Sequence, residues 1–257
     1  MCLSLVVPVH DREATITEEI WALAQAASQC HPDWELVIVD RGSRDRTPEI
    51  LERLRHHEPR LNLVYQCRMK GYGEALRSGL LHARGEFLVV MDRPGGWVLA
   101  DMIRWVGDLE VSDLVAGYRR KGPRPAWDLI SAWIFRNLLR LPTDCRNAGV
   151  WVFRRALLQR VGFTLAGREA LWEFAAQAVR QGSVLQTVPV PFFPHPLEAH
   201  QPLGPDWRTA LQLAWLVLRS RPEPLFTPVH EASTAQLRVA FLAGQDRMPE
   251  GRLSLEH

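Results

Sequence analysis

Cysteine is scarce in this 257-residue chain. The four present, Cys2, Cys30, Cys67 and Cys145, have neither metal-ligand spacing nor the density of a disulfide framework, so a reducing cytoplasm is the expected setting. Charge of one sign is scarce as well. Lys and Arg number 31 against 29 Asp and Glu, and a formal net charge of +2 is too little to draw a nucleic acid. Arg119-Arg120-Lys121 is the only tight basic run and reads as a solvated loop. Long apolar runs are missing too: Ala210 to Leu218, broken by Gln212, falls far short of the roughly 20 residues that cross a bilayer. No basic leader precedes the apolar residues of Met1 to Val9, so no secretory signal is expected. An apolar fraction of 47% beside a charged fraction of 23% then describes a folded domain and excludes a disordered chain.

The stretch with the clearest grammar is Leu36-Val37-Ile38-Val39-Asp40-Arg41-Gly42-Ser43. A β-branched run ends on an acid and opens into a Gly/Ser turn, after which Thr47 and Pro48 read as helix cap and first helical residue. Leu3 to Pro8 and Glu86 to Asp92 repeat the pattern. Helical spacing fills Glu13 to Ser28, Pro48 to His57 and the stretch from Gly71 to Ala83, with a strand at Leu61 to Gln66, a short helix at Val98 to Val106 and a strand at Asp113 to Gly117. Such alternation predicts a mostly parallel, doubly wound α/β sheet. Pro8, Asp40 and Asp92 then share one edge, where the crevice beyond the carboxyl ends of parallel strands binds nucleotides; strand-end aspartates also simply cap turns. Gly71 and Gly73 permit either a close backbone approach to a ligand or a tight turn. Leu76 stands where a dinucleotide fingerprint needs glycine, which excludes that motif.

In the second half, helices are expected over Ala126 to Arg140, Gly167 to Gln181 and Asp206 to Arg219, and strands over Asn147 to Phe153 and Ser183 to Val188. Ile130, Trp133, Ile134 and Leu138 share one side of the first helix, which either packs on the sheet or lies on lipid headgroups. The ten tryptophans serve a core, or a carbohydrate or lipid partner. One domain is expected over 1–221, a nucleotide-binding half over 1–118 and an acceptor half over 119–221. A flexible tail follows over 222–254, and 255–257 read as the remains of a purification tag.

Taken in order, Val7-Pro8-Val9-His10-Asp11-Arg12-Glu13, Ile38-Val39-Asp40-Arg41-Gly42-Ser43, Lys70-Gly71-Tyr72-Gly73-Glu74-Ala75 and Met91-Asp92 resemble the successive signatures of family 2 inverting glycosyltransferases, nearest the polyprenyl-phosphate (dolichol-phosphate) sugar transferases. The likeness continues through Asp113 to Arg119, Asp144 to Arg155 and Glu169 to Val190. It implies the GT-A fold, and transfer with inversion from a nucleoside-diphosphate sugar to a polyprenyl phosphate or other lipid or glycan acceptor, in the cytoplasm and in peripheral contact with the inner face of the membrane. It further implies a donor site made of Pro8, Val9, His10, Glu13, Asp40, Gly42, Ser43, Gly71 and Gly73, to which Arg93, a departure from the family's own motif, is added at the diphosphate. Asp92 would hold Mg²⁺ or Mn²⁺ on the diphosphate, where a hard cation offsets charge on the leaving group. A lipid phosphate, with a second pKa of about 6, is already anionic. A hydroxyl acceptor needs a carboxylate base, and Asp144 and Glu169 are the candidates.

The departures from that family are chemical. Its Asp-Asp-Gly-Ser is here Asp40-Arg41-Gly42-Ser43, its Asp-x-Asp is Asp92-Arg93-Pro94, and Gly96 replaces a further ligand. The loop that closes over the phosphates with a basic set reads Phe193-Pro194-His195-Pro196-Leu197, with His195 and His200 as its only substitutes. Removing acids while adding Arg41 and Arg93 favours direct clamping of phosphate by guanidinium groups; the alternative is that both are salt-bridged structural residues. Two other function classes follow: a catalytically silent relative that binds a nucleotide, lipid or partner protein, and a nucleotidyltransferase, which lacks its Gly-rich basic loop here.

Overall fold

A computed structural model describes residues 2–67, 71–92, 102–119, 127–191, 207–219 and 225. Arg93, Gly96, His195, His200 and all of the tail but residue 225 lie outside the described residues, which belong to one compact unit, Met1–Leu225. Its strands are β1 (Leu3–Val9), β2 (Trp34–Asp40), β3 (Leu61–Tyr65), β4 (Phe87–Met91), β5 (Leu114–Tyr118), β6 (Ala148–Arg154) and β7 (Leu185–Pro189). The helices are α1 (Ile16–Cys30), α2 (Thr47–His57), α3 (Tyr72–His82), α4 (Met102–Asp108), α5 (Trp127–Asn137), α6 (Ala170–Arg180) and α7 (Trp207–Arg219).

The seven strands run in the order β3-β2-β1-β4-β6-β5-β7. All neighbours are parallel except those of β6, which is antiparallel to β4 and to β5. The strands β1, β2 and β4 are buried at every residue, as expected of predominantly apolar runs rich in Val, Leu and Ile. Successive strands step outward from β1 to β3, and α3 then carries the chain back across β1 and β2 to β4. The order therefore reverses between β1 and β4. Their pairing ends at Val6 and Val90, so both strands run on unpaired to each other toward Pro8 and Asp92 and a crevice opens there. Pro8 fits this interior strand because that edge of it has no ladder bond to lose.

Two local expectations change. Thr47 is the first helical residue and not a side-chain cap: its Oγ1 accepts the Arg12 N–H at 2.7 Å, while Asp45 Oδ1 accepts the Thr47 N–H at 3.0 Å. The apolar side expected on α5 is split. Ile134 is buried together with Ser131 and Phe135, whereas Ile130 and Trp133 are 50% and 58% exposed. Of the seven tryptophans with described side chains, Trp34, Trp105, Trp151 and Trp172 are core, and Trp21, Trp133 and Trp215 face solvent.

Candidate active site

The loops that leave β1 and β2 are stitched to each other. The Asp11 N–H donates to Ser43 Oγ (2.9 Å) and the Glu13 N–H to Asp45 Oδ2 (3.0 Å); in return the Arg44 N–H donates to Asp11 Oδ1 (2.8 Å) and the Arg46 N–H to Glu13 Oε2 (3.0 Å). Glu13, expected at the nucleoside, thus uses one carboxylate oxygen on the neighbouring loop. Asp11 and Gly42 both have positive φ, 49° and 78°, the left-handed backbone that Asp tolerates and Gly accepts freely. Asp40 is buried at the end of β2, where its Oδ1 accepts both the Ser43 N–H (3.1 Å) and the Ser43 hydroxyl. Burial raises the Asp45 pKa, but hydrogen bonds from Thr47, Glu13 and its own backbone together outweigh it and draw the pKa below its usual value. Pro8, Val9, His10, Asp40, Gly42 and Ser43 therefore come together at one strand edge. His10 lies beside Asp11, Nε2 to Oδ2 at 3.3 Å.

At the end of β4, Asp92 meets a residue the sequence reading had not singled out. Arg168 Nη2 donates to Asp92 Oδ2, an ion pair between residues 76 apart in sequence. Tyr72 is buried, and its hydroxyl donates to the Met91 carbonyl at 3.3 Å. Burial first, then Asp92, raise the Tyr72 pKa, so the phenol stays neutral. Burial lowers the Arg41 pKa, with Tyr72 opposing and Arg168 adding to the fall, so the two guanidiniums feel each other's charge. Ala148, Trp151, Leu171 and Trp172 line the small cavity that holds Tyr72, Asp92 and Arg168.

The segment that carries Arg168 is pinned. Glu173, fully buried in α6, accepts the Thr164 N–H (2.9 Å), the Thr164 hydroxyl (2.9 Å) and the Leu165 N–H (2.8 Å). The Ala166 carbonyl accepts the Gly73 N–H at 2.7 Å. A Cβ at Gly71 would strike the Ala166 carbonyl and one at Gly73 the Leu165 carbonyl, so both glycines admit protein backbone. Gly71→Ala or Gly73→Ala is expected to cost about 1–3 kcal/mol through overpacking against backbone that cannot step aside, read as a lowered urea midpoint. An unchanged midpoint would mean the approach is not tight.

Asp144 lies in the 3-10 turn Thr143–Asn147 that leads into β6. Glu169 follows Arg168 and, with Leu165, forms one wall of a groove of about 560 Å³ whose other wall is Leu211, Gln212, Trp215 and Leu216 of α7. The described residues do not fit a divalent ion at Asp92. No three Asp, Glu, His or Cys side chains cluster among them, a guanidinium occupies Asp92 Oδ2, and no such residue type stands in the sequence between Asp92 and Asp101.

Residues 4–93 match the family described as Glycosyl transferase family 2, which agrees with the resemblance read from the motifs. A dolichyl-phosphate beta-glucosyltransferase of Trichomonas vaginalis is 34% identical over 98 residues, 36% of this chain and 29% of that protein. An undecaprenyl-phosphate 4-deoxy-4-formamido-L-arabinose transferase of Shewanella sediminis is 33% identical over 92 residues, 35% of this chain and 28% of the relative. The matched segments thus span less than a third of these relatives' length. Among solved structures, glucosyl-3-phosphoglycerate synthase from Mycobacterium tuberculosis in complex with UDP superposes with a TM-score of 0.60 at 20% identity, covering 83% of this chain and 80% of that one. The same enzyme with Mn²⁺, UDP and phosphoglyceric acid gives 0.55 at 24%, covering 76% and 72%. The fold is that of the GT-A glycosyltransferases.

Proposed function

From the premise that residues 4–93 carry the sequence module of glycosyl transferase family 2, we propose that the protein transfers a sugar, with inversion, from a nucleoside-diphosphate sugar to a polyprenyl phosphate. The carrying observation is that Pro8, Asp40 and Asp92 stand at or within one residue of the ends of three buried strands beside the β1/β4 reversal, the place where α/β sheets take nucleotides. Asp40, with the Gly42-Ser43 turn, receives the nucleoside, and the diphosphate lies toward Arg41 and Arg168. The acceptor phosphate oxygen attacks the anomeric carbon as the bond to the diphosphate breaks and the nucleoside diphosphate leaves. That acceptor is already ionised and needs little help from a base. Were the acceptor a glycan hydroxyl, Glu169, on the groove wall beside Arg168, would be placed better than Asp144 to take its proton.

The lipid side of the reading rests on the two curated relatives, whose names carry dolichyl and undecaprenyl phosphate, and on an apolar surface. No helix among the described residues is long and apolar enough to cross a membrane. Instead α5 and α7 pack against each other and leave Leu129, Ile130, Trp133, Leu211, Trp215 and Leu218 between 48% and 68% exposed. Arg219 stacks over the Trp215 ring at 4.6 Å, and Arg140 and Arg180 share a hollow with Leu218. Apolar rings rimmed by guanidiniums suit an anionic membrane surface, with the chain peripheral to the cytoplasmic leaflet.

The test is a thermal-shift panel of UDP, GDP, CDP, dTDP and ADP and their sugars, followed by transfer to polyprenyl phosphate in vesicles. Saturation at about a hundred times the dissociation constant adds about 2.7 kcal/mol, a clear rise in melting temperature. One base is expected to shift the protein and its sugar to appear on the lipid. No shift with any nucleotide would leave the silent relative as the reading.

A further inference from the structure

We propose that Arg168 is the cation that meets the leaving diphosphate in this chain, occupying with its guanidinium the place a divalent ion would take on Asp92. The inference rests on the glycosyltransferase reading and deepens it. Asp92 has a side chain only 6% exposed, whereas that of Arg168 is 41% exposed. The ion pair is therefore anchored at its carboxylate end and opens to solvent at its guanidinium end, as a cation presented to a ligand must be. A guanidinium keeps donors for a second anion after pairing with one carboxylate oxygen, because it has five N–H groups in a planar fork.

Three features set this apart from a casual surface pair. The segment is held by the three hydrogen bonds to the buried Glu173 carboxylate and by the Gly73 N–H to the Ala166 carbonyl, so Arg168 is positioned before any ligand arrives. Arg41 lies close enough to lose part of its basicity to Arg168. And the sequence puts cations after both strand-end acids, Arg41 after Asp40 and Arg93-Pro94 after Asp92, where the resembled family has a second acid. A fixed guanidinium stabilises charge growing on the leaving oxygen as a bound ion does, without a further ligand set.

The experiment measures binding of UDP, GDP and CDP by calorimetry to the intact chain and to Arg168→Ala, Arg168→Lys and Asp92→Asn, each in excess EDTA and in excess Mn²⁺. For the wild type, one nucleotide is expected to bind with an affinity that Mn²⁺ changes less than about threefold, where 1.4 kcal/mol is tenfold. Arg168→Ala should weaken binding in EDTA by about 10- to 100-fold, the worth of one or two hydrogen bonds to a charged group, and Arg168→Lys by less. Asp92→Asn should keep binding in EDTA, since the amide oxygen still accepts from Arg168 and a negative charge beside the diphosphate is gone. Melting temperatures of the unliganded variants show that each is folded. Wild-type binding that requires Mn²⁺ and is lost in Asp92→Asn would overturn the inference while leaving the glycosyltransferase reading intact, as would full affinity in Arg168→Ala. No nucleotide binding by the wild type in either condition would remove the reading itself, and the inference with it.

Discussion

Replacing Trp133 and Trp215 together by Glu is expected to lower partition onto vesicles of mixed phosphatidylcholine and phosphatidylglycerol by about a hundredfold or more. Each ring is 58% exposed in the free chain, and an aromatic side chain of this size buries about 150–250 Å² when covered. At about 25 cal/mol per Å² the exposed part of each ring is worth about 2–3 kcal/mol on entering the interface, and two new carboxylates add repulsion from anionic lipid. Neither ring is core, so the melting temperature should hold. Cosedimentation checks the expectation, with nucleotide binding measured in parallel. The double variant should bind nucleotide as the wild type does and fail only on the lipid acceptor. If it cosediments like the wild type, the α5/α7 surface is not the membrane face.

Asp128→Asn is expected to destabilise the fold by about 3–5 kcal/mol, the cost of leaving a buried charge without its partner. Arg146 has a side chain only 2% exposed, and its Nη1 lies 2.6 Å from Asp128 Oδ1. The same guanidinium donates to the Asp128 carbonyl (3.0 Å), to Ser131 Oγ (2.6 Å) and, through Nε, to the Thr143 carbonyl (3.0 Å). It thereby fastens the first turns of α5 to the 3-10 turn that feeds β6. For a domain of this size the loss corresponds to a fall in melting temperature of about 6–20 °C. Asp128→Ala combined with Arg146→Met should be less destabilised than Asp128→Asn alone, because the pair is removed without stranding a buried charge. A fall of under about 2 °C in Asp128→Asn would show that water reaches the guanidinium.

The vesicle and nucleotide measurements on the tryptophan variant read the two halves of the proposed reaction separately. A variant that keeps its nucleotide but loses vesicles assigns the apolar face to the acceptor side. The Arg146 pair, by contrast, supports that face from within and should affect both readouts only as the fold is lost.

Much of the first half of the chain follows from the sequence alone. Runs such as Leu36 to Val39 contain no polar residue that could face water, so they must be strands covered on both sides, and an acid at the end of such a strand has to emerge at the sheet edge. That is why Asp40 and Asp92 could be placed there, and why the helices between strands were legible from their spacing. Local pattern was less informative for α5. Ile130, Trp133 and Ile134 fall on one helical side, and only the packing of α5 on α7 turned Ile134 inward and the other two outward. The same limit hid Arg168. Glu169 beside it is legible only as a candidate base, and nothing in the local sequence marks Arg168 itself, although the missing acids after Asp92 are a reason to look for a replacement cation. Its partner is 76 residues away, brought to it when α6 packs behind β6 and two glycines let the connecting backbone approach α3. Sequence determined which residues reach the strand ends, because burial and periodicity are local. Tertiary structure decided which charge meets Asp92, because that depends on distant segments closing on one another.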